Sequence, residues 1–224
     1  MKDKNHFLPL LIDMSDKKIV IFGSGSVGER KANLFSEYAK VVVVSRSFYD
    51  TFYELEKKNG IHLLEADAGK LTDDEIKDII RDAFLVIPAT NDRSINERIV
   101  EIAKSCGILT NEVDAIGDVT VPAVIKRGGL TISISTTGSS PAFSRFTRQK
   151  VEKIITPEFA DMIRIQDEMR TYLKREVPDQ RDRKNILWSV LESEDVWAAL
   201  KESYEKGFKI AQDIVRKKIS EKVR

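Results

Sequence analysis

The chain has 224 residues, of which 42% are hydrophobic and 33% are charged, and its formal net charge is +1. This length suits a nucleotide-binding fold with a smaller appendage, and the near-neutral charge argues against a nucleic-acid partner. No apolar run of membrane-spanning length and no secretory leader pattern is present, so we expect a cytoplasmic protein without a membrane partner.

The charges and the histidines narrow the class of ligand. Residues 142–224 hold 19 Lys and Arg against 15 Asp and Glu, an excess that suits a small polyanion better than a nucleic acid. His6 and His62 lack the spacing of metal ligands, so no metal site is predicted. The single cysteine, Cys106, is expected to be a packed structural thiol.

Short apolar runs alternate with helix-period segments between residues 17 and 114, a pattern typical of a parallel sheet wrapped by helices. We therefore predict an α/β fold, a Rossmann-like doubly wound parallel sheet in residues 1–116, with a ligand crevice at the carboxyl ends of the strands. The predicted strands are Lys18–Phe22, Val41–Ser45, Ile61–Glu65, Ala83–Pro88 and Ile108–Val113, and the predicted helices are Val27–Tyr38, Phe48–Lys58, Thr72–Ile80 and Ser94–Cys106.

The pattern changes in the second half of the chain. Val121–Lys126 and Leu130–Thr136 flank Gly128 and Gly129, whose freedom to adopt positive φ predicts a β-hairpin. We assign residues 117–150 to a hairpin-and-helix region that mediates dimerisation, because a lone hairpin leaves its sheet edges unpaired. From residue 142 the sequence is helical with breaks only at Pro157 and Pro178, and residues 151–224 are assigned to a C-terminal helical domain.

A glycine-rich loop joins the first predicted strand to the first predicted helix. In a dinucleotide-binding fold the first glycine permits a tight turn, the second lets the backbone approach a pyrophosphate, and the third allows close packing of helix and strand. The free amides at the start of the helix bind the anion. This context predicts a dinucleotide site, with these candidate cofactor-binding residues: Gly23, Ser24, Gly25, Ser26, Val27 and Gly28.

The second strand lacks the Asp or Glu that many such folds place about 20 residues beyond the glycines to bind the ribose. Ser45 and Ser47 are the candidates for that contact, while Arg46 either stacks on adenine, accepts a 2′-phosphate or is an exposed strand-end side chain. Further candidates for the nicotinamide half end the later strands, where each either contacts the cofactor or satisfies turn backbone: Thr90, Asn91 and Asn111.

Four segments together resemble the precorrin-2 dehydrogenase and sirohydrochlorin ferrochelatase family of siroheme biosynthesis. Over roughly residues 7–155 the resemblance is carried by Gly23–Ala32, by Pro88–Asp92 with Ile95–Asn96, by Asn111–Asp114 and by Thr136–Ala142. It implies a homodimer that oxidises the tetrapyrrole precorrin-2 to sirohydrochlorin with NAD; in some members Fe²⁺ is then inserted as a substrate. NAD is favoured over NADP, because the family generally uses NAD while often lacking the ribose acid.

Asp114 is the candidate catalytic residue. The oxidation removes a hydride and a proton, so the site needs a nicotinamide on one side and a proton acceptor on the other. Asp114 follows the fifth predicted strand at the crevice, and it matches the active-site aspartate of the family. A carboxylate there accepts the substrate proton, or the pyrrole protons when iron enters. The alternative is a turn cap at a domain boundary.

Precorrin-2 carries carboxylates on its side chains, which calls for several cations around an open crevice. The candidate substrate-binding cations are Arg127 at the hairpin tip and Arg145 and Arg148 near the following helix, with plain surface charges as the alternative. Thr136 stands where some relatives of the family carry a serine, so the hydroxyl is kept.

Two other functions remain open from the sequence. A non-catalytic dinucleotide-sensing regulatory module would share the glycine loop and the small dimerising appendage, but it would not need the Thr137–Pro141 turn. A dehydrogenase for an ordinary metabolite would normally place a His or Lys acid beside a carbonyl, and no such motif is found.

Overall fold

A computed structural model describes residues 6–113, 115 and 117–222. The chain divides into two compact units. The first is made by Met1–Val121 with Thr137–Ser139, and the second by Pro122–Thr136 with Ser140–Arg224.

The first unit is a parallel α/β fold, as predicted. Its strands are β1 (Lys18–Phe22), β2 (Lys40–Ser45), β3 (His62–Glu65), β4 (Ala83–Pro88) and β5 (Leu109–Thr110). Its helices are α1 (Ser26–Phe35), α2 (Asp50–Asn59), α3 (Asp73–Ile80) and α4 (Arg93–Ser105). The sheet order is β3-β2-β1-β4-β5, so the strand order reverses beside β1 and the crevice lies at the carboxyl ends of the strands.

Both faces of the sheet are covered by helices, which explains why the strands read as continuous apolar runs. Val20 and Phe22 of β1 pack with Ile76 of α3 and Ile99 of α4 on one face. Alternate residues turn to the other face: Ile19 and Ile21 of β1 pack with Ala32 of α1 and with Phe52 and Leu55 of α2. These two layers hold the strand ends, and therefore the crevice, in place.

The fifth strand is shorter than predicted. It covers Leu109–Thr110 rather than Ile108–Val113, because side chains turn the chain back at once. The amide and the hydroxyl of buried Thr110 both donate to the carboxylate of Asp118, at 3.0 and 2.8 Å, and Val119 N donates to Thr110 O at 3.0 Å. These bonds occupy the edge of β5 that faces away from β4, while Asn111 N still donates to Val86 O of β4 at 3.0 Å.

The second unit begins with the predicted hairpin. Strands β6 (Ala123–Arg127) and β7 (Leu130–Ile134) pair antiparallel around Gly128 and Gly129. Of the two glycines, Gly128 supplies the positive φ, of 55°, and Gly129 does not. A positive φ at the first turn residue only is the pattern of a type II′ turn.

Five helices complete the second unit: α5 (Pro141–Glu152), α6 (Glu158–Glu176), α7 (Gln180–Leu191), α8 (Glu194–Leu200) and α9 (Tyr204–Lys222). Helices start close to Pro157 and Pro178, but the expectation of breaks only there is wrong. Ser193 caps α8 by accepting a hydrogen bond from Val196 N, and Ser203 accepts one from Lys206 N before α9 continues. Apolar side chains of α6–α9 form a separate core.

Candidate functional site

The glycine loop is built around two positions that exclude side chains. Gly23 has φ 111°, and a Cβ there would lie 2.3 Å from Ala89 O. A Cβ on Gly28 would lie 2.0 Å from Gly23 O, so α1 can approach β1 only with glycine at this position. The first and third glycines are therefore required by the fold itself.

Gly25 is different, because a Cβ built there meets no atom within 4 Å. Gly25 is also the N-cap of α1 and offers no side-chain acceptor, so the first amides of the helix are left for a ligand or for solvent. Open space in front of amides at the positive end of a helix dipole fits an anion. The loop thus has room for an anion in front of these amides, and contact of Ser26 and Val27 with a pyrophosphate stays a prediction.

A crevice of about 490 Å³ runs along the carboxyl ends of β1, β2, β3 and β4. It is lined by these predicted cofactor-binding residues: Gly23, Ser24, Gly25, Ser45, Arg46, Ser47, Thr90 and Asn91. Its lining does not include Ser26, Val27, Gly28 or Asn111. Most of the predicted residues are therefore brought together at one crevice, and their contact with a cofactor stays a prediction.

Hydroxyl groups tie the glycine loop to the end of β2. Ser24 Oγ donates to Ser47 O at 2.8 Å, and the hydroxyls of Ser24 and Ser45 are 2.8 Å apart. Since Ser24 gives its proton to Ser47 O, Ser45 is the donor of the pair and its lone pairs remain available to accept hydrogen bonds. Arg46 is exposed beside them.

The loop after β4 is fixed by a residue that the sequence reasoning did not single out as a candidate. Asn96 Oδ1 accepts from Thr90 N at 3.0 Å and from Thr90 Oγ1 at 2.7 Å, while Asn96 Nδ2 donates to Thr90 O at 3.0 Å. The Thr90 side chain is therefore held by its Asn96 partner, and its contact with a cofactor stays a prediction. The available signal for Asn96 was its place in the Ile95–Asn96 segment, one of those that carry the family resemblance.

Asn111 is 5% exposed and is held at both ends of its carboxamide. Oδ1 accepts from Lys31 Nζ at 2.7 Å, and Nδ2 donates to Val119 O at 2.7 Å. Burial, with a smaller contribution from the neighbouring charge of Arg30, lowers the pKa of Lys31 to about 8. Lys31 was not predicted as a site residue, although it lies in the extension of the glycine loop.

Asp114, the predicted catalytic residue, lies outside the described residues, so its role stays a proposal.

Cys106, expected to be packed, is exposed at the end of α4, where the chain leaves the helix and turns at Gly107.

The predicted substrate cations are partly neutralised within the second unit. Arg127 ends β6 rather than standing at the hairpin tip, where Gly128 and Gly129 form the turn; its Nε donates to Ile155 O at 3.0 Å. Arg127 and Arg148 both pair with Glu152, at 3.4 and 2.7 Å, whereas Arg145 is exposed.

The Thr136 hydroxyl closes the turn before α5. It accepts from Ser140 N at 3.0 Å and from Ser144 Oγ at 3.2 Å. The hydroxyl therefore has a structural role in the second unit, and its contact with substrate stays a prediction.

Two features are absent from the part of the chain that the structure describes. Within residues 6–113, 115 and 117–222, no group of three or more His, Cys, Asp or Glu side chains is arranged to hold a metal ion. No helix in the same part of the chain has the length and hydropathy to cross a membrane.

The chain is similar to known proteins in sequence and in fold. Residues 10–123 match a family model described as "Putative NAD(P)-binding", and residues 127–154 match one described as "Sirohaem biosynthesis protein central". A solved structure of SirC, a precorrin-2 dehydrogenase, aligns with a TM-score of 0.72 at 19% identity, covering 94% of this chain and 100% of that one. That likeness shows a shared fold.

The sequence relatives are more specific. The chain is 51% identical over 215 residues to the precorrin-2 dehydrogenase of Methanosarcina barkeri, covering 96% of each protein. It is 30% identical over 190 residues to the siroheme synthase of Methylococcus capsulatus, covering 83% of this chain and 38% of that larger protein. The chain belongs to the precorrin-2 dehydrogenase family.

Proposed function

We propose that this protein oxidises precorrin-2 to sirohydrochlorin with NAD. The observation that carries the proposal is the 51% identity to a precorrin-2 dehydrogenase along 96% of the chain. The crevice supports it, because Gly25 leaves open space in front of the first amides of α1.

We propose a separate role in this reaction for each of several residues. NAD bound in the crevice supplies the hydride acceptor. The amides of Ser26 and Val27 bind the pyrophosphate, Ser45 accepts from the adenosine ribose, and Asn96 holds the loop after β4 in place. We propose Asp114 as the general base that takes the substrate proton.

The direct test follows the product. Purified protein is incubated with precorrin-2 and either NAD or NADP, and the absorbance of sirohydrochlorin is recorded. We expect product with NAD, and we expect Asp114→Ala to abolish turnover while its Kd for NADH stays within about twofold of wild type, because the proposed base is not a cofactor ligand. No product with either cofactor would overturn the proposal, and binding without turnover would favour the dinucleotide-sensing module.

NAD is the proposed cofactor, although the end of β2 carries no acid to repel a 2′-phosphate. The exposed Arg46 leaves NADP as the competitor, because a guanidinium binds a phosphate well. Arg46→Ala is therefore expected to weaken NADPH binding about tenfold and NADH binding much less. Equal losses for both cofactors would assign Arg46 to stacking on adenine instead.

Insertion of Fe²⁺ into sirohydrochlorin is a second candidate activity, favoured by the similarity to a siroheme synthase. Here Fe²⁺ is a substrate, and Asp114 is the proposed acceptor of the pyrrole protons. Addition of Fe²⁺ to product formed in the first assay tests the step. If Fe²⁺ enters sirohydrochlorin no faster than in a control without protein, the second candidate activity is rejected.

We also propose a cytoplasmic homodimer. The support for the dimer comes from the second unit, where Phe143 and Phe146 of α5 are 60% and 53% exposed next to a hairpin of only two strands. The tetrapyrrole is the proposed substrate partner, bound in part by Arg127, Arg145 and Arg148.

A further inference from the structure

Two carboxylates line the crevice, and only one of them is fully engaged with its own helix. Asp92 caps α4: its Oδ1 accepts from Ser94 N at 2.9 Å, from Ser94 Oγ at 2.7 Å and from Ile95 N at 3.3 Å. These bonds account for the presence of an acid at that position. The second carboxylate, Asp67, follows β3 and has no such role in a helix.

The side chain of Asp67 is held in one orientation with one oxygen to spare. Oδ1 accepts from Gly69 N at 3.1 Å, which closes a small turn of the kind that Asp and Asn both form. Oδ2 lies 4.0 Å from Lys70 Nζ, at the limit of an ion pair, and that lysine side chain is 85% exposed. Asp67 therefore presents a weakly compensated acceptor at the crevice, where its side chain is 30% exposed.

Apolar side chains form the part of the crevice wall next to this acceptor. Ala68 is 8% exposed, and Ile95 of α4 lies so close that a Cβ on Gly69 would be 2.9 Å from Ile95 Cδ1. Ala68, Gly69 and Ile95 all line the same crevice as Asp67. A flat group that is apolar on its faces and carries a hydrogen-bond donor on its edge fits such a wall, as an aminopurine does.

The order of the strands places this wall at one end of the dinucleotide. The pyrophosphate fits at α1 beside β1, and the ribose contacts come from the end of β2. Asp67 follows β3, the next strand outward, and two strand spacings correspond to about 10 Å from β1. A base attached to the ribose extends to this distance.

We propose that the Asp67 carboxylate accepts a hydrogen bond from the 6-amino group of adenine and thereby selects an adenine dinucleotide. The inference deepens the proposed function, since it assumes that a dinucleotide occupies the crevice. Hypoxanthine carries a carbonyl oxygen where adenine carries the amine. A carboxylate facing that carbonyl meets an acceptor in place of the amine donor, which disfavours the hypoxanthine dinucleotide.

The test compares two cofactors by binding alone, without precorrin-2. Fluorescence of the reduced nicotinamide gives the Kd of NADH and of reduced nicotinamide hypoxanthine dinucleotide. We expect wild type to bind NADH at least about tenfold more tightly. Asp67→Asn keeps an acceptor for Gly69 N, but its amide nitrogen donates to the hypoxanthine carbonyl. We therefore expect this variant to bind NADH more weakly and the analogue more tightly than wild type does. The Kd of the analogue divided by the Kd of NADH should then fall to about one or below.

The matched control is Asp16→Asn, which removes a carboxylate of 91% side-chain exposure just before the amino end of β1. It is expected to keep the wild-type preference, and far-UV circular dichroism checks that both variants fold. An Asp67→Asn variant that folds and keeps the wild-type preference would overturn the inference, as would a wild type without preference. A wild type that shows the preference but does not oxidise precorrin-2 would instead overturn the catalytic proposal alone.

Discussion

Gly25 and Gly28 belong to one loop, yet they are expected to respond very differently to a methyl group. In Gly28→Ala the new Cβ would lie 2.0 Å from Gly23 O, so α1 must move away from β1. We expect the free energy of unfolding to fall by about 2 kcal/mol or more, as overpacking usually costs. Urea unfolding followed by circular dichroism measures the loss, and an unchanged midpoint would contradict the close packing.

Gly25→Ala is the matched variant. Gly25 has φ −70° and no atom within 4 Å of its Cβ position, so the fold accepts alanine with a change in stability of at most about 1 kcal/mol. The methyl group does enter the space proposed for the pyrophosphate, and we expect the Kd for NADH to rise at least about tenfold. Tight NADH binding by this variant would place the pyrophosphate elsewhere.

Lys31 gives the first unit a pH dependence above neutrality. Its pKa is lowered to about 8 in the folded protein, so the unfolded chain binds more protons between that value and 10.5. Stability contributed at this site therefore rises as the pH rises through that window, because the cost of burying the charge disappears. Relative to Lys31→Met, we expect the free energy of unfolding of wild type to rise by about 2 kcal/mol between pH 7 and pH 10.

Urea unfolding of both proteins at the two pH values measures this difference. Lys57→Met is the control, because Lys57 is exposed on α2 and should leave the pH dependence of wild type unchanged. A difference between wild type and Lys31→Met that does not grow with pH would show that Lys31 stays charged when folded.

At the level of whole elements, the end of β5 shows what a local pattern cannot predict. The apolar run from Ile108 predicts a six-residue strand, but the structure keeps only Leu109–Thr110. The deciding contacts join Thr110 to Asp118 and Asn111 to Val119, and such tertiary hydrogen bonds leave no trace in periodicity. The other four strands were predicted within a residue at each end, and three of them, β1, β2 and β4, have buried residues on both faces of the sheet.

The same limit applies to the crevice. The glycine loop was predicted correctly as a strand–loop–helix element because its function depends on local backbone geometry. Neither Asn96, which holds the loop after β4, nor Asp67, which lines the crevice, was predicted as a candidate, since only the folded chain brings α4 and the end of β3 together. Likewise, the hydroxyl pair of Ser24 and Ser45 joins the glycine loop to β2, and the sequence shows no sign of it.

The Thr110–Asp118 contact yields a prediction for stability. Asp118→Ala removes the acceptor for both the amide and the hydroxyl of Thr110, which is fully buried. An unpaired buried polar group costs about 1 to 3 kcal/mol, so we expect a loss of this size in urea unfolding. Asp16→Ala is the exposed control, and equal effects of the two variants would contradict the assigned role of Asp118.

Helix α5 carries the prediction for assembly. Phe143 and Phe146 are exposed and adjacent, with ring centroids 6.3 Å apart, as an aromatic patch at an interface would be. We expect Phe146→Glu to raise the dimer dissociation constant at least about tenfold, measured by analytical ultracentrifugation. Trp188→Glu is the control, since Trp188 is 56% exposed on another helix of the same unit. A monomeric wild type would remove the proposed homodimer.

Considered as a whole, the molecule has more than one hydrophobic core. The cores on the two faces of the parallel sheet belong to the first unit, while Met162, Ile165, Leu173, Val190 and Val215 form a core among α6–α9. We propose that residues 151–224 are a domain in their own right, beside residues 1–116 and 117–150. Hydrophobic burial is the main source of folding stability, so a segment with its own core can fold alone.

Expression of residues 151–224 alone tests this proposal. We expect a helical far-UV spectrum and a cooperative urea transition, with Trp188 and Trp197 as fluorescent probes inside the fragment. Leu173→Ala should then lower the stability of the fragment by about 2 to 4 kcal/mol, because Leu173 is fully buried in this core. Tyr172 is the neighbouring residue on the same helix and is 40% exposed, so Tyr172→Ala should lower the stability of the fragment much less. A non-cooperative transition, or equal losses in the two variants, would show that α6–α9 need the rest of the chain to pack.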